Sequence, residues 1–359
     1  MKIKKILISS TKSMTINLFL NEIIHNAKNK YELYFLCSDP ENIDKKIIKN
    51  IENNIVKIIL FKNHYEFLNI YKFISIIFKI RKHIKNNKFD IIFTHTPLIS
   101  HLLRISTFGM NLNICYFVHG FRFYKKSNFF IYYSFYILEK ILSFNTSSYI
   151  TINNEDSLLV KKNFKKKQLR INGVGINFNY NKISQLNLNN KIKIGVIAAY
   201  RKNKGYDELL KIAKSYKNIN FLCYGYDDFQ YYKDKSNIDS ITNIFFYPFT
   251  KDIYKKIDNF HFLLSLSKRE GLPTSVIECL HRGKPVIGYN IRGINDLIID
   301  NYNGCIVNYQ DINQIKKKID YLLNDEMTYY QMCKNSIKSI NKKYDKKNNA
   351  IKIINFLVS

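Results

Sequence analysis

Two carboxylates, Glu270 and Glu278, lie eight positions apart around a Gly-Leu-Pro turn in residues 267–297, SKREGLPTSVIECLHRGKPVIGYNIRGINDL. Pro273 and Thr274 suit the first positions of a helix, because proline gives up only an N–H that has no partner there. Val276, Ile277 and Leu280 continue that helix to Arg282-Gly283, where glycine suits the residue just past a helix end. Residues 284–288 then read as a short buried strand. Glu270 thus falls at the end of a strand, ahead of a helix N-terminus, and Glu278 sits about one turn inside the helix. Such an N-terminus carries partial positive charge and N–H groups without intrahelical partners, which makes it a seat for phosphate. A carboxylate beside it can accept hydrogen bonds from hydroxyls on the molecule that brings the phosphate. Phosphate plus hydroxyls suggests a nucleotide sugar. The competing chemistry is a hydrolase pair, whose carboxylates stand roughly 5–10 Å apart across one bond. Eight helical positions span ~12 Å, and both glutamates lie in one local segment, which disfavours that pairing.

The elements that must position this stretch are legible on either side of it. Residues 262–266 read as the strand that delivers it. Residues 191–200 form another strand, followed by a basic loop, 201–205, carrying Arg201 and Lys204, and a helix, 207–216. Strands at 220–225 and 244–247 end at a Gly225 turn and at Pro248-Phe249. In the first half, strands at 3–8, 31–37, 55–61, 90–94, 113–118 and 148–152 alternate with helices that include 16–27 and 66–88. Strands that are apolar throughout and separated by helices specify a parallel sheet covered on both faces. The strand at 113–118 carries His119 to its carboxyl edge, where open α/β sheets bind ligands; position alone leaves packing or capping open as its role. Residues 163–170 are basic and read as a solvated segment, and 332–357 as one basic amphipathic helix. The pattern restarts near residue 185. This predicts an α/β chain of two Rossmann-like domains facing across a cleft, 1–182 and 183–335, with a helix at 336–359 packing back on the first.

Composition narrows the class further. The 359 residues carry a formal net charge of +29, together with 46% hydrophobic side chains. That charge suits a phosphate-bearing substrate or an anionic membrane surface, although abundant Lys, Asn and Ile also reflect a compositional bias. No nucleic-acid-binding module is recognisable, so nucleic acid is not an expected partner. No Gly-x-Gly-x-x-Gly with a distal acidic residue appears, which argues against a dinucleotide oxidoreductase. No run of apolar residues is long enough to span a bilayer. The opening residues read as a buried strand rather than a signal peptide. The six scattered cysteines read as buried apolar residues rather than disulfides or zinc ligands. Residues 121–144 are rich in aromatics and flanked by Lys125, Lys126 and Lys140, so they fit either a helix packed on its own sheet or one sunk into an anionic interface.

The stretch from Glu270 to Glu278, followed by Gly283-Lys-Pro-Val-Ile, resembles the E-x7-E signature of the retaining glycosyltransferases of family four, which have the GT-B fold. The resemblance extends in order through Asp90-Ile-Ile-Phe-Thr-His-Thr-Pro97, Val118-His119-Gly120-Phe121, Asn154-Glu155-Asp156 and Gly173-Val-Gly175-Ile176 to Asn203-Lys204-Gly205 and Arg292-Gly293. Together these look like bacterial capsule, exopolysaccharide and lipopolysaccharide glycosyltransferases. The resemblance implies an N-terminal acceptor domain and a C-terminal nucleotide-sugar domain. Glu278 would hold the donor ribose, Glu270 the donor sugar near its reacting carbon, and His119 the sugar from the first domain. Backbone around Gly271, Leu272 and Thr274 would hold the sugar and distal phosphate, while Lys204 and Arg201 neutralise the leaving diphosphate. Phe249 and the Gly225 turn would line the base pocket. Cationic side chains in place of an Asp-x-Asp pattern imply transfer without a metal or other cofactor. The expected acceptor is a surface glycan on a polyprenyl diphosphate, at the cytoplasmic face of the membrane. The rival expectation is a non-catalytic GT-B protein that binds carbohydrate or nucleotide sugar. The first loop, residues 9–13, departs from the family in lacking its two glycines, which leaves acceptor contacts unassigned.

Overall fold

The computed structural model describes residues 3–48, 55–57, 69–124, 127–178, 188–189 and 191–359. The chain forms two compact units, Met1–Gly175 with Lys346–Ser359, and Ile176–Asp345.

The first unit holds a parallel sheet of seven strands in the order β3-β2-β1-β4-β5-β6-β7. These are β1 (Lys5–Ser9), β2 (Glu32–Cys37), β3 (Ile55–Lys57), β4 (Ile91–His95), β5 (Ile114–Val118), β6 (Ser148–Thr151) and β7 (Lys167–Arg170). Its helices are α1 (Ser13–Thr15), α2 (Asn21–Ala27), α3 (Lys45–Ile48), α4 (Ile70–Asn87), α5 (Pro97–Ser106), α6 (Phe129–Ser143) and α7 (Asn154–Leu159). Strands β4 and β5 are buried at every position, as a central strand covered on both faces must be. Side chains of Asn69, Asn128 and Asn153 cap α4, α6 and α7 by accepting N–H bonds from the first turn.

The second unit repeats the plan with six parallel strands, β10-β9-β8-β11-β12-β13. They are β8 (Lys193–Ile197), β9 (Asn220–Gly225), β10 (Ile244–Pro248), β11 (Phe262–Ser265), β12 (Val286–Tyr289) and β13 (Gly304–Val307). Between and after them run α8 (Tyr206–Ser215), α9 (Gln230–Ile238), α10 (Ile253–Ile257), α11 (Thr274–His281), α12 (Ile312–Asn324) and α13 (Glu326–Ser339). The last helix, α14 (Lys346–Val358), lies in the first unit and packs on α2, as the sequence predicts. In both sheets the strand order reverses beside the first strand, β1 against β4 and β8 against β11. The carboxyl ends there are the usual ligand position of a doubly wound sheet.

Several elements differ from the expectation. The tail is not one helix over 332–357, because α13 stops at Ser339 and a 3₁₀ turn, Lys342–Tyr344, intervenes before α14. The Ile176 N–H donates to the Tyr344 carbonyl at 2.9 Å, and Ile176 bridges Asp345. The two units meet in the chain at 175/176 and 345/346; the boundary expected at 182/183 falls outside the described residues, and 335/336 lies inside α13. Residues 163–170 are not wholly solvated loop, since Lys167–Arg170 pairs with β6 as edge strand β7. Part of the strand expected at 55–61, the start of the helix at 66–88, and Lys125 and Lys126 fall outside the described residues. All six cysteines are buried and unbridged.

A buried ion pair fastens the first unit's helical layer. Arg104 of α5 donates from Nη1 to Glu139 Oε2 of α6 at 2.8 Å and from Nη2 to Oε1 at 3.1 Å. His101 Nε2 reaches the same carboxylate at 2.7 Å. The Arg104 guanidinium also covers the Tyr116 ring at 4.5 Å.

Candidate functional site

The sequence-predicted donor residues converge at the carboxyl ends of β8 and β11. Strand β8 leads into Arg201 and a 3₁₀ turn, Lys202–Lys204, which Gly205 closes with φ +80°. A Cβ at Gly205 would stand 2.3 Å from the Leu266 carbonyl oxygen at the end of β11. Only glycine permits both that conformation and that approach. The Lys268 N–H donates to the Asn203 carbonyl at 2.9 Å, stitching the two loops together. The result is a direct pair, with Lys204 Nζ 2.6 Å from Glu270 Oε1 and side chains 19% and 17% exposed.

Gly271 and Leu272 then lead to Pro273, which stands at the cap position of α11, and Thr274 opens the helix. Pro273 is therefore the residue before the first turn rather than within it. The far end of α11 closes as its sequence suggests. Gly283 has φ +70°, its N–H donates to Leu280, and the Lys284 N–H donates to Cys279 at 2.9 Å. Arg292 and Gly293 back the site from the loop after β12. Arg292 Nε donates to the Glu270 carbonyl at 3.3 Å. A Cβ on Gly293 would lie 2.2 Å from the Gly271 oxygen.

Glu278, half-buried within α11, faces an aromatic wall. The Tyr226 and Phe249 rings stack at 4.0 Å with 16° between planes. Burial, reinforced by the Glu278 charge, pushes the Tyr226 hydroxyl up to about 12. Arg201 turns the other way: its Nε lies 2.5 Å from Asp227 Oδ2, on the exposed surface. The structure thus joins Lys204 to Glu270 and places Gly271, Leu272, Thr274 and Glu278 on the same turn and helix. Arg201 it pairs with Asp227 instead.

His119 belongs to the first unit. Its Nε2 lies 3.2 Å from His95 Nδ1, and its ring stacks on Phe117 at 4.3 Å. Burial pushes His119 down to about 4, and burial together with His119 holds His95 well below the usual histidine range. Both rings are neutral at pH 7, so one donates its proton to the other. His95 Nε2 is buried and has no hydrogen-bond partner among the described residues. The next residue, Thr96, has φ +62°, a strained conformation for a β-branched side chain. Its Oγ1 accepts the Thr11 N–H at 3.1 Å and meets Thr11 Oγ1 at 2.7 Å. The first loop, which lacks glycine, is thereby held by threonine side chains.

Sequence reasoning missed His95, Thr96, Tyr226 and Asp227 as site residues. His95 and Thr96 stand inside the motif Asp90–Pro97, and the proline that follows them is the available signal. The Arg201–Asp227 pair spans two loops and leaves no local trace. Among the described residues, no group of three or more His, Cys, Asp or Glu side chains comes together to hold a metal ion.

Residues 179–339 match the family model "Glycosyl transferases group 1". The chain is 26% identical over 266 residues to the putative glycosyltransferase EpsD of Bacillus subtilis, covering 68% of this chain and 70% of that protein. It is 25% identical to the capsular polysaccharide biosynthesis glycosyltransferase CapM of Staphylococcus aureus, across 96% of this chain and 94% of CapM. The structure of HepE from Anabaena, solved with UDP and glucose, superposes with a TM-score of 0.76 at 14% identity, covering 99% of each chain. Residues 179–339 thus match that family model, in a chain that shares the two-sheet GT-B fold of that structure.

Proposed function

We propose that the protein transfers a hexosyl or N-acetylhexosaminyl group from a nucleotide-sugar donor, UDP-linked, with retention of configuration. The acceptor in this reading is a surface glycan carried on polyprenyl diphosphate at the cytoplasmic face of the membrane. The observation that carries the reading is the Lys204–Glu270 pair at the entrance to α11, with Glu278 and the Tyr226–Phe249 stack one turn away. Breaking the bond at the anomeric carbon leaves positive charge on the sugar and negative charge on the diphosphate. The Lys204 ammonium and the first-turn N–H groups of α11 are fixed donors for the diphosphate and need no reorganisation. Arg201 adds a second cation once it exchanges Asp227 for the diphosphate. Glu270 accepts from the sugar hydroxyls and Glu278 from the ribose. His119, neutral at pH 7, offers a hydrogen bond to the sugar without opposing the positive charge that develops there. The capsular function in CapM's name and the UDP and glucose bound to HepE support a surface-glycan product and a UDP donor.

The test is a thermal-shift screen of purified protein against nucleotide sugars, followed by NMR of the first product formed from the stabilising donor. The expected product keeps the donor's anomeric configuration, and an inverted product sinks the retaining assignment. The second reading, a non-catalytic binding protein, predicts stabilisation by a nucleotide sugar with no turnover on any acceptor. The aromatic wall gives a further expectation. Phe249→Ala should weaken UDP binding about tenfold, the loss of one base–aromatic stack, as read by calorimetry. Unchanged affinity would place the base elsewhere.

A further inference from the structure

Helix α6 is apolar on both sides. Tyr132, Phe135 and Tyr136 pack inward on the cluster that contains Phe121, Phe123 and Phe164, as a surface helix requires. Phe130, Ile137, Ile141 and Phe144 recur at helical spacing on the opposite side. All four are exposed, Phe130 at 77% and Phe144 at 75%. Helix α4 repeats the arrangement. Ile76, Ile80 and Ile84 are buried, while Tyr71, Ile74 and Phe78 face outward, Tyr71 at 83% and Phe78 at 65% exposed. Helix α4 packs on α5, and α5 on α6, so both stripes belong to one helical layer.

The charges on this layer have one sign. Helices α4, α5 and α6 together contain a single acidic residue, Glu139, and it is buried against Arg104. Helix α4 alone carries Lys72, Lys79, Arg81, Lys82 and Lys85. Lys161 and Lys162 are exposed on the turn beside α6, where Lys140 Nζ donates to the Asn163 carbonyl. Apolar stripes of this extent on a water-facing surface mark an interaction site. Aromatic and aliphatic side chains ringed by lysine, with no exposed carboxylate, are what a bilayer bearing anionic headgroups accepts. The rings enter the headgroup–acyl boundary and the lysines meet the lipid phosphates.

We propose that α4 and α6 form a docking face for an anionic lipid bilayer, on which the first unit lies without crossing it. No helix among the described residues is long and apolar enough to span a membrane. The proposal is independent of the donor chemistry, because every residue it uses lies in the first unit.

The experiment is co-sedimentation of the full chain with vesicles of phosphatidylcholine alone and of phosphatidylcholine with phosphatidylglycerol. The mixed vesicles should bind about tenfold or more tightly than the neutral ones. Phe130→Glu/Phe144→Glu should lose most of that binding, and Tyr71→Glu/Phe78→Glu should do the same from the other helix. Lys161→Glu/Lys162→Glu should weaken it, whereas Lys211→Glu/Lys217→Glu, an equal charge change on and beside α8, should not. Circular dichroism and thermal unfolding report that each variant is folded, and UDP binding, measured alongside, tests the donor site separately. The idea is overturned if the wild type ignores anionic vesicles, or if the α8 variant loses as much binding as the others. It is also overturned if Phe130→Glu/Phe144→Glu dissolves a dimer in sedimentation velocity while vesicle binding persists, which would assign the face to a second copy.

Discussion

Glu270→Gln is expected to lower sugar transfer by about 10²–10³-fold, the cost of removing one group that acts on charge developing in a transition state. Glutamine keeps the side-chain length and one acceptor oxygen, so the fold and the loop should survive. What disappears is the strong ionic partner of Lys204 and, in the proposed reaction, the negative charge beside the reacting carbon. Lys204→Met should bring a comparable loss by removing the ammonium from the diphosphate. The two side chains touch at 2.6 Å, so their effects should not add: the double variant should fall well short of the product of the single losses. Steady-state rates with saturating acceptor, together with unchanged thermal unfolding, make the measurement. Full activity in Glu270→Gln would remove Glu270 from the reaction. Strict additivity would show that the contact has no part in transfer.

The second large effect concerns stability. Replacing Glu139 by leucine should cost about 3–5 kcal/mol, because the Arg104 charge is left buried without its counter-ion. Removing both charges together, as Arg104→Met/Glu139→Leu, should recover most of the loss, since two apolar side chains need no partner. Urea unfolding followed at pH 7 reads both. The same carboxylate sets an acid limit. Burial alone would raise Glu139, but Arg104 and His101 overcome it and hold the group at about 2, below the ordinary 4.5. A folded-state value below the unfolded one means that the stability is fully present above pH 4.5. It is lost as pH falls toward about 2, where the folded protein must take up the proton. The wild type should therefore lose more stability between those limits than the Arg104→Met/Glu139→Leu variant. Parallel acid curves would mean that the pair adds nothing through ionisation.

Much of this was legible before any coordinates. The runs at 90–94 and 113–118 hold the unbroken apolar stretches 91–93 and 114–118, so they specify central parallel strands, and β4 and β5 are fully buried. Around α11, proline, glycine and helical periodicity point to the same boundaries, and the helix starts and stops there. The two loops that meet at the Lys204–Glu270 pair were readable because each lies beyond an apolar run, past the carboxyl end of a strand. Features without a local signal were lost. Strand β7, Lys-Gln-Leu-Arg, is an edge strand whose side chains are at most half-buried, so its composition resembles loop. The split between α13 and α14 depends on Ile176 pairing with Asp345, residues far apart in the chain. His95 lies just past the strand read at 90–94 and carries no signal of its own, because neither its contact with His119 nor the unusual backbone of Thr96 is encoded by spacing.

The placement of α14 bears on how the molecule is made. Ile353, Ile354 and Leu357 of this helix are buried, and Lys4 Nζ donates to the Val358 carbonyl at 3.2 Å. Side chains from the final fifteen residues line an apolar pocket with Ile6 and Leu33 of the first two strands. Strands β1 and β2 thus keep apolar surface uncovered until translation has run through Val358. The second unit, Ile176–Asp345, is contiguous and has its whole sequence available sooner. Synthesis therefore favours an order in which the later segment closes first and the earlier one waits. The sequence separation between Lys4 and Val358 adds a loop-closure cost to the first unit that the contiguous second unit does not carry.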